Sequence, residues 1–281
     1  MLDFAQPQPY FALLDPVRAA RSCQSSGPLL NVSAVPEQIL FPIVLAIIAA
    51  TYAAVGQAGG TGYIAVMGLV GLSPDVIRPT ALALNIIVAA IGAANFARAG
   101  LLKWRSFYPF AILGAPFSVL GGATHLSQSM YQPLVGALLI LAAWQMVRSA
   151  RGATHIDESA PTRPPLMPSL LTGAGIGFVS GVTGVGGGIF LAPLVLRFHW
   201  AETRQTAALS AVFNLLNSAA ALAGLLLRLP VLPSALPWWL LAVACGAMVG
   251  SWLAVQHLPS AALRYILSLL LLVAGLRMLL T

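Results

Sequence analysis

Ten apolar stretches recur along this chain, at roughly 38–56, 61–72, 79–97, 107–124 and 131–148, then at 168–183, 186–198, 205–227, 236–255 and 260–280. A polar linker at 149–166, with Arg151, His155, Asp157, Glu158 and Arg163, separates the two sets. The stretches are continuously apolar rather than alternating, which predicts helices and argues against a membrane β-barrel. Most are long enough for a hydrocarbon core of about 30 Å. The stretch at 61–72 is not, because some 12 residues extend only about 18 Å at 1.5 Å per residue.

The short stretch follows a glycine-rich run, Gly56-Gln57-Ala58-Gly59-Gly60-Thr61-Gly62, and a second run, Gly181-Val182-Thr183-Gly184-Val185-Gly186-Gly187-Gly188, stands at the corresponding place in the second half. Unwound backbone inside a bilayer is tolerated only where protein or a water-filled cavity satisfies its polar groups. A matched pair of glycine-interrupted apolar segments therefore points to the binding site of a carrier. Each run is expected to turn a helical hairpin within the membrane.

A shift of about 126 positions lays Gly60-Thr61-Gly62 on Gly186-Gly187-Gly188, Arg78 on Arg204 and Thr80 on Thr206, with Asn85 and Asn214 about a turn apart. The basic loops around Arg98, Lys103 and Arg105 and around Arg148, Arg151 and Arg163 are assigned to the cytoplasm, and the loop around Asp75 to the outside. The same plan puts the loop of Arg197, Glu202 and Arg204 inside. An odd number of segments per half then gives the halves opposite orientations. The expected fold is an all-α polytopic membrane protein of two inverted-topology repeats, each with a glycine-broken re-entrant hairpin plus three spanning helices. Its parts are a polar tail (1–36), a first repeat (37–148), a cytoplasmic linker (149–166) and a second repeat (167–281).

Composition agrees: of 281 residues 59% are hydrophobic and 7% charged, and mean hydropathy is +0.89. Soluble domains carry about 25% charged residues. The net charge of +7 comes from residues scattered singly through loops, which suits topology and not nucleic acid. Cys23 and Cys245 form no disulfide framework or metal spacing. No metal, cofactor or catalytic arrangement is expected, and so no enzyme.

Glycine lets a ligand approach peptide N–H groups closely, and the start of a helix favours an anion. Gly60, Thr61 and Gly62 are therefore candidate donors from one hairpin, with Gly186, Gly187 and Gly188 from the other, and Gln57 adds a polar side chain. Thr80 and Asn85 are matched by Thr206, Ser210, Asn214 and Asn217, whose spacing places the last four on one helical face. These residues suit either an anion path or hydrogen bonding between packed helices. Arg204, with Arg78, opens its helix near a membrane edge, where a guanidinium attracts oxyanions or snorkels. The more widely spaced Gly173, Gly177 and Gly181, and Gly246 and Gly250, read as helix-packing faces. Trp104, Trp200, Trp238 and Trp239 read as interface anchors. No acidic residue falls in mid-membrane, which argues against a carboxylate-held coupling ion.

From about Glu37 onward the chain resembles the TauE/SafE sulfite exporter family of bacterial membrane permeases. The resemblance is carried by Gly184-Val185-Gly186-Gly187-Gly188-Ile189-Phe190-Leu191-Ala192-Pro193-Leu194, by the run from Thr206 to Ser218, and by Gly100-Leu101-Leu102-Lys103-Trp104. The first-half motif departs from it, with Thr61 for the middle glycine and Met67 opposite Pro193. The resemblance implies a multi-pass permease of a bacterial inner membrane moving a small sulfur-containing anion such as sulfite or an organosulfonate. Export is favoured, alone or as a homo-oligomer. An ion-coupled importer, a channel-like anion pore and a membrane scaffold are the alternatives.

Overall fold

The computed structural model describes residues 34–151, 164–227, 232–256 and 260–280. Nearly all of the expected polar tail, with Cys23, lies outside these residues, as do the middle of the linker and His257. Contacts divide the chain into two units, Met1–Phe41 and Pro42–Thr281. Of the first only the opening of one helix is described; the remaining described helices belong to the second.

The described residues form ten helices and no strand: α1 (Ala34–Ala54), α2 (Gly60–Val70), α3 (Pro74–Arg98), α4 (Trp104–Ala123), α5 (Gln128–Arg151), α6 (Leu166–Thr183), α7 (Gly188–Arg197), α8 (Thr203–Leu226), α9 (Leu236–Gln256) and α10 (Ser260–Leu280). Each predicted apolar stretch corresponds to one of them. Helices α3, α4, α5, α6, α8 and α10 are long and apolar enough to cross a bilayer. Helices α2 and α7, at 11 and 10 residues, are not. The sequence reading treats α6 as one arm of a re-entrant hairpin, yet its 18 residues extend about 27 Å and are themselves sufficient for a span.

Glycines set the distances between helices. A Cβ on Gly173, Gly177 or Gly181 of α6 would fall 2.2, 2.3 and 2.3 Å from the carbonyl oxygens of Phe110, Gly114 and Ser118 on α4. On α9, Gly246 and Gly250 meet the Ala46 and Ala50 carbonyls of α1 at 2.2 and 2.1 Å in the same way. Any side chain there would push the backbones apart, so both spaced-glycine faces are packing faces. Helix α8 packs against α3, α4, α6 and α7, and α10 against α2 and α5. An aromatic cluster fills the space beside α8, with the Phe110 ring 5.8 Å from Trp200 and 6.5 Å from Phe213. Trp200 is thus buried and stacked on Phe198 at 5.0 Å, not held at a lipid interface as its sequence position suggests. Trp104 and Trp238 are exposed.

Arg78 also departs from expectation. It does not snorkel: only 4% of it is exposed. Its Nη1 donates to the Thr124 carbonyl at 3.1 Å. Its Nη2 lies 3.3, 3.4 and 3.2 Å from the carbonyls of Gly121, Gly122 and Gly181. These acceptors belong to the C-terminal ends of α4 and α6, where unpaired carbonyls and the helix dipole favour a cation. One guanidinium thereby ties three helices together. Tyr131 adds a bond to the Thr183 carbonyl at 2.9 Å. Replacing Arg78 with leucine should cost about 3 kcal/mol or more, since several charge-assisted bonds vanish and buried carbonyls are stranded. A clear fall in Tm of the detergent-solubilised protein checks this; an unchanged Tm would contradict it.

Candidate functional site

Both glycine runs unwind between helices. Gly56 and Gly59 have φ of 76° and 83°, and Gly184 and Gly186 have 79° and 82°, a left-handed region that side-chain-bearing residues rarely adopt. These residues let α1 turn into α2 and α6 into α7 without continuing either helix. The two turns meet: a Cβ on Gly60 would lie 2.1 Å from the Val185 carbonyl oxygen and 3.2 Å from Asn85 Oδ1. Around the contact, a Cβ on Gly186 would lie 2.2 Å from Asn214 Oδ1 and 2.4 Å from Asn85 Nδ2. Asn85 and Asn214 stand about halfway along α3 and α8. The junction is therefore central in the helical bundle.

A cavity of about 130 Å³ borders this junction. Gln57, Gly60 and Thr61 line it from the first turn, and Gly188, Thr206, Ser210 and Asn214 from the second half. Apolar walls come from Ile189, Ala192 and Leu196 of α7 and from Ala207 and Ala211 of α8. The volume is well under the roughly 300–1,000 Å³ of pockets for drug-sized ligands. It suits a small ion.

Hydrogen bonding sorts the polar groups. Among the described residues no acceptor takes the N–H of Gly60, as expected for the first residues of a helix. The N–H of Gly188, by contrast, is capped by Asn214 Oδ1 at 3.3 Å. The Thr61 hydroxyl shares a 2.8 Å bond with the Tyr52 hydroxyl, and Thr206 Oγ1 donates to the Ala201 carbonyl at 3.3 Å. Ser210 Oγ and Gln57 Oε1 are buried with no protein partner. An amide presents either its oxygen or its nitrogen, and a hydroxyl can donate, so both are groups that a ligand can complete.

The other predicted residues lie beside the cavity and not on its wall. Gly62 packs on Tyr52 and Ile48, and Gly187 on Asn217 and Phe213. Asn85 Nδ2 donates to Ser218 Oγ at 2.7 Å, while Asn85 Oδ1, Thr80 Oγ1 and both polar atoms of the Asn217 side chain are buried without partners. Gly186 stands between the Asn85 and Asn214 side chains. Arg204 is exposed on the first turn of α8 and does not reach the cavity. Glu202 occupies the N-cap position of that helix, but its side chain makes no capping bond. The guanidinium that does line the cavity belongs to Arg264 of α10, with Ser149 of α5 beside it. Neither residue is among those the sequence singles out. A single arginine near the start of an apolar helix carries the same signal as an interface residue, and only the α5–α10 packing brings it to the site. Among the described residues no group of His, Cys, Asp or Glu could hold a metal ion.

Comparison with known proteins finds membrane transporters. A probable membrane transporter protein of Sinorhizobium fredii is 52% identical over 243 residues, which covers 86% of this chain and 98% of that one. A probable membrane transporter protein of Methanocaldococcus jannaschii is 27% identical over 140 residues, 48% of this chain and 51% of that one. No solved structure matches. The profile of the family described as Sulfite exporter TauE/SafE matches residues 40–278. The chain, a helical bundle with a central cavity between two glycine turns, belongs to the TauE/SafE family of membrane transporters and is not an enzyme.

Proposed function

We propose that the cavity binds a small sulfur-containing anion, such as sulfite or an organosulfonate, and that the protein exports it across a bacterial inner membrane. The observation that carries this reading is the junction itself. Two left-handed glycine turns meet at a cavity of ion size, and the Gly60 amide and the Ser210 hydroxyl are left there without protein partners. Donors fixed before the ligand arrives lose little reorganisation energy on binding it. The sulfur chemistry is carried over from the family description, and the cavity supplies the reason that an anion fits.

The helix pairings support two inverted repeats. Exchanging α1–α5 for α6–α10 in order turns the α4–α6 contact into α9–α1, and α4–α8 into α9–α3, and all four are present. The same exchange carries the α5, α7, α8 and α10 walls of the large cavity onto the walls of a second one of about 50 Å³, lined by Gly68 and Gly71, Pro74 and Ile77 of α3, Gln128 and Gln132 of α5, and Arg277 of α10, but not by the α6–α7 turn. Arg277 donates to the Leu69 carbonyl beside it. A large and a small cavity at exchanged positions fit a carrier caught with one side more open than the other. Among the described residues with resolved burial no acid is buried, which fits movement without a carboxylate-held coupling ion. An inside-negative potential favours anion efflux by about 2.3 kcal/mol per charge per 100 mV.

Purified protein in liposomes should move one or more of sulfite, thiosulfate, taurine and sulfoacetate, and for the anions the flux should rise with an imposed potential that drives negative charge out of the loaded compartment. Failure of all four would overturn the cargo assignment. Flux that needs a sodium or proton gradient would replace export with coupled import, and unitary conductance would replace the carrier with a pore. Gly60→Ala places a methyl group against the Val185 carbonyl, so flux should fall at least tenfold while the protein still inserts and elutes as a single species. Wild-type flux in that variant would detach the glycine junction from transport.

A further inference from the structure

Three arginines are candidates for the charge that an anion would meet, and their surroundings differ. Arg78 is engaged by carbonyls at the ends of two other helices, α4 and α6, away from the large cavity. Arg204 is exposed and outside it. Arg264 lines it and, among the described residues, is the one side chain on that wall that carries charge at neutral pH, with no described aspartate or glutamate beside it.

Arg264 is held on one edge only. Its Nη1 donates to the backbone oxygen and to Oγ of Ser149, both at 2.9 Å. Among the described residues nothing accepts a hydrogen bond from Nη2 or Nε. Ser149 lies in the last turn of α5, where the carbonyl end of the helix attracts a cation without neutralising it. The side chain is thus oriented by a dipole and keeps its full charge, with a planar donor edge to spare. Such an edge matches two oxygens of a sulfite or sulfonate group in a way that an ammonium does not. A fixed charge between low-dielectric walls also draws anions toward it and repels cations.

We propose that Arg264 is the charge-selecting residue of the cavity and binds the anion's oxygens through the guanidinium edge that Ser149 leaves unused. This rests on the anion reading of the cavity and adds the residue that enforces it. The bland alternative is a clamp that only joins α10 to α5. The two separate cleanly, because a clamp acts through the Ser149 bonds and a selector acts through charge.

The test compares wild type, Arg264→Gln, Arg264→Lys and Ser149→Ala in liposomes with sulfite as the probe. It also measures the thermal shift given by sulfite, sulfate and phosphate in detergent. Loss of a charge-assisted contact corresponds to about 10- to 100-fold in affinity. Arg264→Gln should raise half-saturating sulfite by that factor with a smaller effect on maximal flux. It should also abolish the dependence of half-saturation on ionic strength and the anion-induced thermal shift. Arg264→Lys should recover part of each, and Ser149→Ala should leave the salt dependence in place. Unchanged half-saturation in Arg264→Gln overturns the proposal. So does the clamp pattern, in which Arg264→Gln and Ser149→Ala lower Tm and maximal flux alike at wild-type half-saturation. If the wild type moves no sulfite, sulfite is struck from the cargoes and the thermal shift alone decides Arg264. A shift present in wild type and missing in Arg264→Gln supports its role; equal shifts, or none in either, sink it.

Discussion

Close backbone approach through glycine is the constraint on which this structure depends. Within a bilayer there is no water to drive helices together by hydrophobic burial, so packing, backbone contact and interhelical hydrogen bonds must do it. Here α4 and α6, α4 and α8, and α1 and α9 meet glycine against carbonyl. The site obeys the same rule. Gly60 against the Val185 carbonyl brings two unwound turns into contact, and a larger residue at that point would part them. The arrangement that holds the bundle together also leaves the Gly60 amide without a protein partner beside the cavity.

Polar side chains then complete what the turns leave open. Asn214 caps the Gly188 amide, and Asn85 reaches across to Ser218 of α8. Other polar atoms nearby, on Thr80, Asn85, Ser210 and Asn217, are buried without protein partners. An unmatched buried polar atom costs about 1–3 kcal/mol, so a cluster of them is expensive scaffolding and good preorganisation. Arg78, whose charge meets four carbonyls, contrasts with these atoms, which under the proposed function are left for a ligand.

Much of the fold was legible in the sequence because its strongest signals are local. Apolar runs bounded by Gly, Pro and charge place all ten described helices, and four-residue glycine spacing identifies the faces of α6 and α9. The junction was legible for a similar reason, since glycine clusters mark unwound backbone. The features that stayed hidden depend on tertiary convergence. Arg78 and Arg204 match in sequence, yet the C-terminal ends of α4 and α6 surround only the first. Trp200 resembles an interface anchor until Phe110 and Phe198 pack on it. Arg264 gives no local cue at all. Within the predicted site, membership of a helical face did not say which residues reach the cavity: Ser210 and Asn214 do, while Asn217 lies behind them.

Helices α5 and α10 wall both cavities, each contributing residues near its two ends: Ser149 and Gln128–Gln132 from α5, Arg264 and Arg277 from α10. They also pack tightly, with each of Gly136 and Gly275 placing its carbonyl oxygen 2.9 Å from the Cβ position of the other. Helices α2 and α7 differ from this pair in length and in how the chain enters them. They are short, and each comes after a glycine turn with left-handed residues that can absorb large dihedral changes. Helix α7 walls the larger cavity, and the far end of α2 walls the smaller. Under the carrier reading proposed above, an exchange of cavities would ask least of α5 and α10 and most of the helices that follow the glycine turns. The arginine near each end of α10 stands beside one of the cavities, Arg264 at the larger and Arg277 at the smaller.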